Sequence, residues 1–269
     1  MRIDAHTHLF PHKLAEAIRR WFDQGFWDIQ YRIDVDASID TLTRGGIDRL
    51  VALPYAHKPG VAAALNTFTR ELAARRPEVL PCCTVFPGEE GAERMLDEAL
   101  SSWARGVKMH AHVMRVAPDD PRMEAVWRAS ARHRRPVVIH CGPQPTSEGY
   151  GFDTAAVSGA HRLRRVLEKH PEAIAIVPHL GVDEHDLFEA MLAEFPNLYL
   201  DTTMAVGGYF SYQPDLEILR RNPGRILYGT DFPNLPYEWT RELRVIESLK
   251  LPHEAELLGG LAARLFGSQ

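Results

Sequence analysis

Residues 106–142 read "GVKMHAHVMRVAPDDPRMEAVWRASARHRRPVVIHCG", and this stretch decides the fold. It opens on a short apolar run, "GVKMH" (106–110), and closes on another, "PVVIHCG" (136–142). Between them, "DPRMEAVWRASARHRR" (120–135) places Asp120 at a capping position and Pro121 at the first helical position. A strand, a helix and a second strand over roughly 30 residues form one βαβ unit of a parallel sheet. Each of the two apolar runs reaches a histidine, His110 and His140.

The same rhythm extends in both directions. Upstream lie the strand-like runs "RIDAHTH" (2–8), "IDRLVALP" (47–54) and "VLPCCTVFP" (79–87), with helical stretches at 60–77 and 89–106. Downstream come "AIAIVPHLG" (173–181), "NLYLDTT" (197–203) and "RILYGTD" (225–231), with helical stretches at 160–171, 183–196 and 215–224. "YEWTRELRVIESL" (237–249) and "HEAELLGGLAARLFG" (253–267) close the chain as helices. Strand candidates thus start near residues 2, 49, 79, 106, 136, 173, 198 and 225. Strands alternating with helices imply an α/β fold, and eight units imply a distorted (β/α)₈ TIM barrel over residues 1–269, a single domain. The rival is a doubly wound open sheet, which usually shows a Gly-rich phosphate turn after its first strand. "HTHLFPHK" is not such a turn.

Residues 11–35 break the rhythm. They hold Trp21 and Trp27 together with Phe22, Phe26 and Tyr31. An insertion after the first barrel strand would sit over the C-terminal mouth, so this segment is expected to be a substrate lid or a subunit interface, with a homodimer as one outcome.

Composition narrows the partners. A formal net charge of -5 gives no basis for nucleic-acid or anionic-membrane binding. No apolar run nears the ~18–20 residues of a membrane span, and "MRIDAHTH" lacks the apolar segment of a signal peptide. Cys82, Cys83 and Cys141 are no disulfide framework, which suits a cytoplasmic protein acting on a small molecule. Alternation turns Cys141 away from its neighbour His140 and into packing.

Thirteen histidines are many for 269 residues, and several end strands. In "IDAHTHLF" (3–10), Asp4, His6 and His8 share one strand face. Lys108 and His110 end the fourth strand, His140 the fifth, His179 the sixth, Asp201 the seventh and Asp231 the eighth. Barrel strand ends converge on one site. Imidazole and carboxylate are the usual ligands of a borderline divalent ion such as Zn²⁺, which lowers the pKa of bound water and polarises carbonyls. His57, His112, Arg115 and Arg122 lie near the mouth without a clear role. His12, His133, His161, His170, His185 and His253 are expected to face solvent.

These residues carry a resemblance. "IDAHTHLF", "GVKMH", "PVVIHCG", "PHLG" and "ILYGTDFP" resemble, in order, the first-, fourth-, fifth-, sixth- and eighth-strand motifs of the amidohydrolase superfamily. The likeness is to its amidohydrolase-related branch of metal-dependent hydrolases, which also holds decarboxylases similar to the aminocarboxymuconate-semialdehyde enzyme. It covers nearly the whole chain and implies a distorted (β/α)₈ barrel. It also implies metal ligands His6, His8, His140 and Asp231, with His179 and Asp231 moving protons. Binuclear relatives carboxylate the fourth-strand lysine to bridge two metals. The one-metal alternative, with a single Zn²⁺, is favoured here. Lys108 and His110 then contact the substrate or steady a ligand. Where the family's closing helix commonly has Asn-Ala, this chain has Leu261-Ala262, a structural position. The leading expectation is hydrolysis of an amide, ester or lactone. Non-oxidative decarboxylation of a small carboxylic acid is the alternative, and a non-catalytic metal-binding barrel ranks third.

Overall fold

A computed structural model of the chain describes residues 1–210 and 212–267. The apolar runs are strands: β1 (Ile3–Thr7), β2 (Arg49–Ala52), β3 (Val79–Pro81), β4 (Val107–His110), β5 (Val137–His140), β6 (Ala175–Val177), β7 (Leu198–Asp201) and β8 (Ile226–Leu227). All pair in parallel, in the ladders β1-β2-β3 and β4-β5-β6-β7-β8. Single bridges, Cys83 with Val107 and Thr7 with Phe232, join the two ladders at both seams. The result is the expected (β/α)₈ barrel, distorted because its closure rests on isolated bridges.

The surrounding helices are α1 (His12–Gly25), α2 (Val35–Arg44), α3 (Ala62–Arg75), α4 (Ala92–Ser102), α5 (Ala111–Met114), α6 (Glu124–His133), α7 (Ala160–Lys169), α8 (His185–Glu194), α9 (Ile218–Arg221), α10 (Arg241–Ser248) and α11 (Leu261–Phe266). Asp120 accepts from the Arg122 N–H at 2.9 Å, capping the turn that leads into α6.

Two elements depart from the sequence expectation. The polar stretch "VDASIDTLTR" is a helix, α2, because Asp34 accepts from the Ala37 N–H at 2.8 Å and Ile39 and Leu42 are buried. The closing run 253–267 is not one helix. It breaks at Gly259, where a Cβ would lie 2.4 Å from the Met1 carbonyl oxygen, so only glycine lets the chain start pass this closely. Four helical or loop histidines are also less exposed than expected: His133 pairs with Asp97, His170 with Glu124, and His185 and His253 bond backbone carbonyls.

Strand residues alternate between two cores. On β5, Val137 and Ile139 join the larger cluster that packs strands against helices, which also contains Phe188, Leu163 and the buried Cys141. Val138 belongs to a smaller cluster with Val51, Leu80, Ile176 and Leu227, gathered against Leu261 and Phe266 of α11. Both faces of the strands are therefore apolar, as parallel barrel strands require. The face carrying Val138 continues to His140 and the face carrying Leu227 continues to Asp231. Beyond these apolar positions, the inner face presents His140 and Asp231 at the C-terminal mouth.

Candidate active site

At that mouth, a cavity of about 210 Å³ is lined by His6, His8, Lys108, His110, His140, His179 and Asp231. The seven residues to which the sequence reading gave a site role meet there, while Asp201 of the seventh strand stands behind them. Loop and helix segments complete the wall. Phe22, Phe26 and Trp27 come from the 11–35 insertion, and Tyr55, Tyr150 and Phe210 from later loops.

Hydrogen bonds fix the first-strand imidazoles. His6 Nδ1 donates to Asp201 Oδ2 at 2.8 Å, and His8 Nδ1 donates to the Leu53 carbonyl at 2.9 Å. With the Nδ1 proton committed in each ring, each Nε2 is left as a bare lone pair. The two Nε2 atoms are 3.3 Å apart, and Asp231 Oδ1 is 3.4 Å from His6 Nε2 and 3.2 Å from His8 Nε2. Three acceptors converge, with the Lys108 ammonium as a donor within reach of His6 Nε2. Ligands about 2.1 Å from one ion stand about 3.0–3.4 Å from each other, so this donor set fits a divalent metal.

Buried charge around these donors sharpens the same point. Burial alone would raise the Asp231 carboxyl, but its contacts with the His8 ring, and with those of His6 and His179, hold it well below the usual carboxylate range. Burial, with Lys108 beside it, pushes the His6 imidazole well below its ordinary value and keeps it neutral, as a ligand must be. Burial also lowers Lys108 to about 8, against the pull of Asp231 and Asp201, and its Nζ lies 3.2 Å from His6 Nε2.

Two buried carboxylates brace the site from behind. Asp201 Oδ1 accepts from the backbone N–H of His179 and of Thr203, both at 3.1 Å, so one aspartate braces His6, His179 and the loop after β7. Asp4 accepts from Thr230 Oγ1 at 2.6 Å and from the His6 N–H at 3.0 Å, tying β1 to the turn that presents Asp231. Burial raises the Asp4 carboxyl to about 7. The ligand loops are also strained: His179 has φ 58° and Asp231 has φ 77°, left-handed values that few non-glycine residues adopt.

His140 stands outside the three-donor group. Its Nε2 donates to the Gln144 carbonyl at 2.9 Å, and its ring stacks on His110 with centroids 4.3 Å apart. That bond leaves Nδ1 as its free lone pair. His179 donates from Nδ1 to the Thr203 carbonyl at 2.8 Å, leaving Nε2 free. Of the peripheral candidates, Arg122 pairs with Asp120 on the surface, while His112 is completely buried. Sequence reading missed Tyr55 and Tyr150, and it missed that Asp201 serves His6. No signal marks such pairings in a sequence, because 195 residues separate the two partners.

The chain matches the model of a family described as Amidohydrolase over residues 3–267, and it belongs to that family. No curated protein matches it. Among solved structures it is similar to the 5-carboxyvanillate decarboxylase of Sphingomonas paucimobilis, with a TM-score of 0.70, 16% identity, and coverage of 100% of this chain and 99% of that one. The 5-carboxyvanillate decarboxylase of Novosphingobium aromaticivorans, complexed with manganese and 4-hydroxy-3-methoxy-5-nitrobenzoic acid, matches with a TM-score of 0.72, 14% identity, and coverage of 100% and 96%. A 2,6-dihydroxybenzoate decarboxylase complexed with 2,6-dihydroxybenzoate matches with a TM-score of 0.70, 16% identity, and coverage of 99% of both chains. At these identities the likeness establishes the shared barrel. Among the described residues, no helix is long and apolar enough to cross a membrane.

Proposed function

We propose that this protein is a metal-dependent, non-oxidative decarboxylase of a small aromatic carboxylic acid. The observation that carries this reading is the meeting of three proton-free acceptors, on His6, His8 and Asp231, at the floor of a cavity walled by aromatic rings. The solved barrels it resembles add support, since three of them are decarboxylases of aromatic acids by name.

His6, His8 and Asp231 would hold the ion, while His140, the further ligand that the resemblance implied, lies outside this group on the Gln144 carbonyl. The donor set suits Zn²⁺, and the Novosphingobium relative holds manganese. Bound there, a divalent ion supplies positive charge that draws in and polarises an anionic oxygen of the ligand. Phe22, Phe26 and Trp27 cover the mouth, stack on the substrate ring and exclude water. Lys108 and His110 contact the acid's polar edge. His179, anchored through Nδ1, takes the substrate's acidic proton at its free Nε2 and hands it to the ring carbon. The bond from that carbon to the carboxylate breaks, its electron pair stays on the carbon, and CO₂ leaves.

Hydrolysis, the leading expectation from the sequence, remains the second reading because Asp231 is ionised and beside the donors, where a base for water would stand. An assay of hydroxylated aromatic acids, beside lactones and amides, separates the two in ¹⁸O-labelled water. CO₂ release without label in the product is the expected result. Label entering a ring-opened or cleaved product, with no CO₂, would overturn decarboxylation.

A further inference from the structure

The lining of the metal pocket separates charge from neutral polarity. Positive charge is confined to the floor. Among the described residues no arginine lines the pocket, and its one lysine, Lys108, lies 3.2 Å from His6 Nε2.

The walls carry neutral hydrogen-bonding groups with unused capacity. Tyr55 and Tyr150 are 9% and 7% exposed, and among the described residues their hydroxyls make no hydrogen bond. Burial, and after it the charge of Asp231, holds both phenols above their ordinary range, so they stay protonated and face the floor. Asn234 is 5% exposed and its backbone is held from both sides, its N–H donating to the Asp231 carbonyl at 2.9 Å and its carbonyl accepting from the Trp27 indole at 2.8 Å. Its side-chain amide, fixed between floor and aromatic cover, has no partner among the described residues. Gln144 accepts the Thr146 N–H on Oε1 at 2.9 Å, which leaves its Nε2 as a spare donor. At the rim stands Asp183, an exposed carboxylate that forms no ion pair among the described residues.

We infer that the substrate carries a single carboxylate, held at the floor, and that its other ring substituents are uncharged hydrogen-bonding groups met by Tyr55, Tyr150, Asn234 and Gln144. A second carboxylate is refused. Between aromatic rings it would leave water with no cation to meet it, a cost that neutral donors offset only in part, and Asp183 repels it on entry. This restriction rests on the reading of the pocket as the site of an aromatic acid, and it narrows that class to monoacids.

Terephthalate and 4-carbamoylbenzoate share one shape and differ by one negative charge. In calorimetric titration of the Zn²⁺-loaded protein, 4-carbamoylbenzoate is expected to bind at least ~10-fold more tightly than terephthalate. Asp183→Lys, at an exposed position, should narrow that gap several-fold by improving terephthalate alone. Asn234→Leu, of similar size, should weaken 4-carbamoylbenzoate several-fold and leave benzoate unchanged, with the melting curve reporting whether the variant is folded. Terephthalate binding as tightly as 4-carbamoylbenzoate to the native protein would overturn the restriction and leave the aromatic-acid reading standing. No saturable binding by any of the three acids would overturn both.

Discussion

At the N-terminal end of the barrel, Val51, Leu80, Val138, Ile176 and Leu227 close on Leu261 and Phe266 without a polar group among them. A few residues along, three of the same strands present His140, His179 and Asp231 to a cavity, backed by buried carboxylates and by backbone in left-handed conformations. The first end gathers apolar surface, which stabilises at about 25 cal/mol per Å². The second takes charged and polar groups out of water and tolerates them only because each has a fixed partner. Stability and chemistry are thus separated along the length of each strand, and substitutions at the two ends should separate the two readouts.

The largest effect belongs to the mouth. His8→Ala removes a converging acceptor and should cut kcat/KM by at least ~10⁴-fold, about 5 kcal/mol, with bound metal falling in elemental analysis and the melting curve little changed. An unaltered metal content would break the assignment of His8. At the closed end, Phe266→Ala should cost about 3–5 kcal/mol in denaturant unfolding while metal stoichiometry stays as in the native protein. A loss of metal equal to that of His8→Ala would mean that the two ends are not separable.

The smallest expected effect is pH-dependent and lies outside the ligand set. Glu242 of α10 is buried, accepting from the Val206 N–H at 3.0 Å and from the Tyr237 hydroxyl at 2.8 Å, with Arg241 nearby. Burial raises its carboxyl to about 7 despite those bonds. A raised acid keeps its proton longer in the folded state than in the unfolded one. Stability from this group is therefore full below about pH 4.5 and lost as pH climbs toward 7, by up to ~3 kcal/mol. Glu242→Gln should flatten that part of the profile of unfolding free energy against pH. A slope unchanged in the variant would show that other groups set it.

The strands were legible because period, spacing and punctuation are local. Each of the eight starts within two residues of its expected place, since an apolar run bounded by Gly or Pro has few other uses in a chain of this rhythm. Helix α2 was not legible. Its sequence is polar, and what makes it a helix is the Asp34 cap and a buried edge that only the packed barrel supplies. The break at Gly259 was hidden for a similar reason, because the Met1 carbonyl that forbids a side chain there comes from the far end of the chain.

The site divides along the same line. By itself the sequence determined the residue types and their positions at strand ends, because alternation along a strand fixes which side chains share a face. It therefore named His6, His8, Lys108, His110, His140, His179 and Asp231 together, and the family to which they belong. Only the tertiary structure decided that three of these present bare acceptors to one point, that His140 stands apart on Gln144, and that Asp201 braces both His6 and His179. Those facts depend on which atom of each ring is already bonded, and the bonding partners lie on strands that the chain brings together only when the barrel closes.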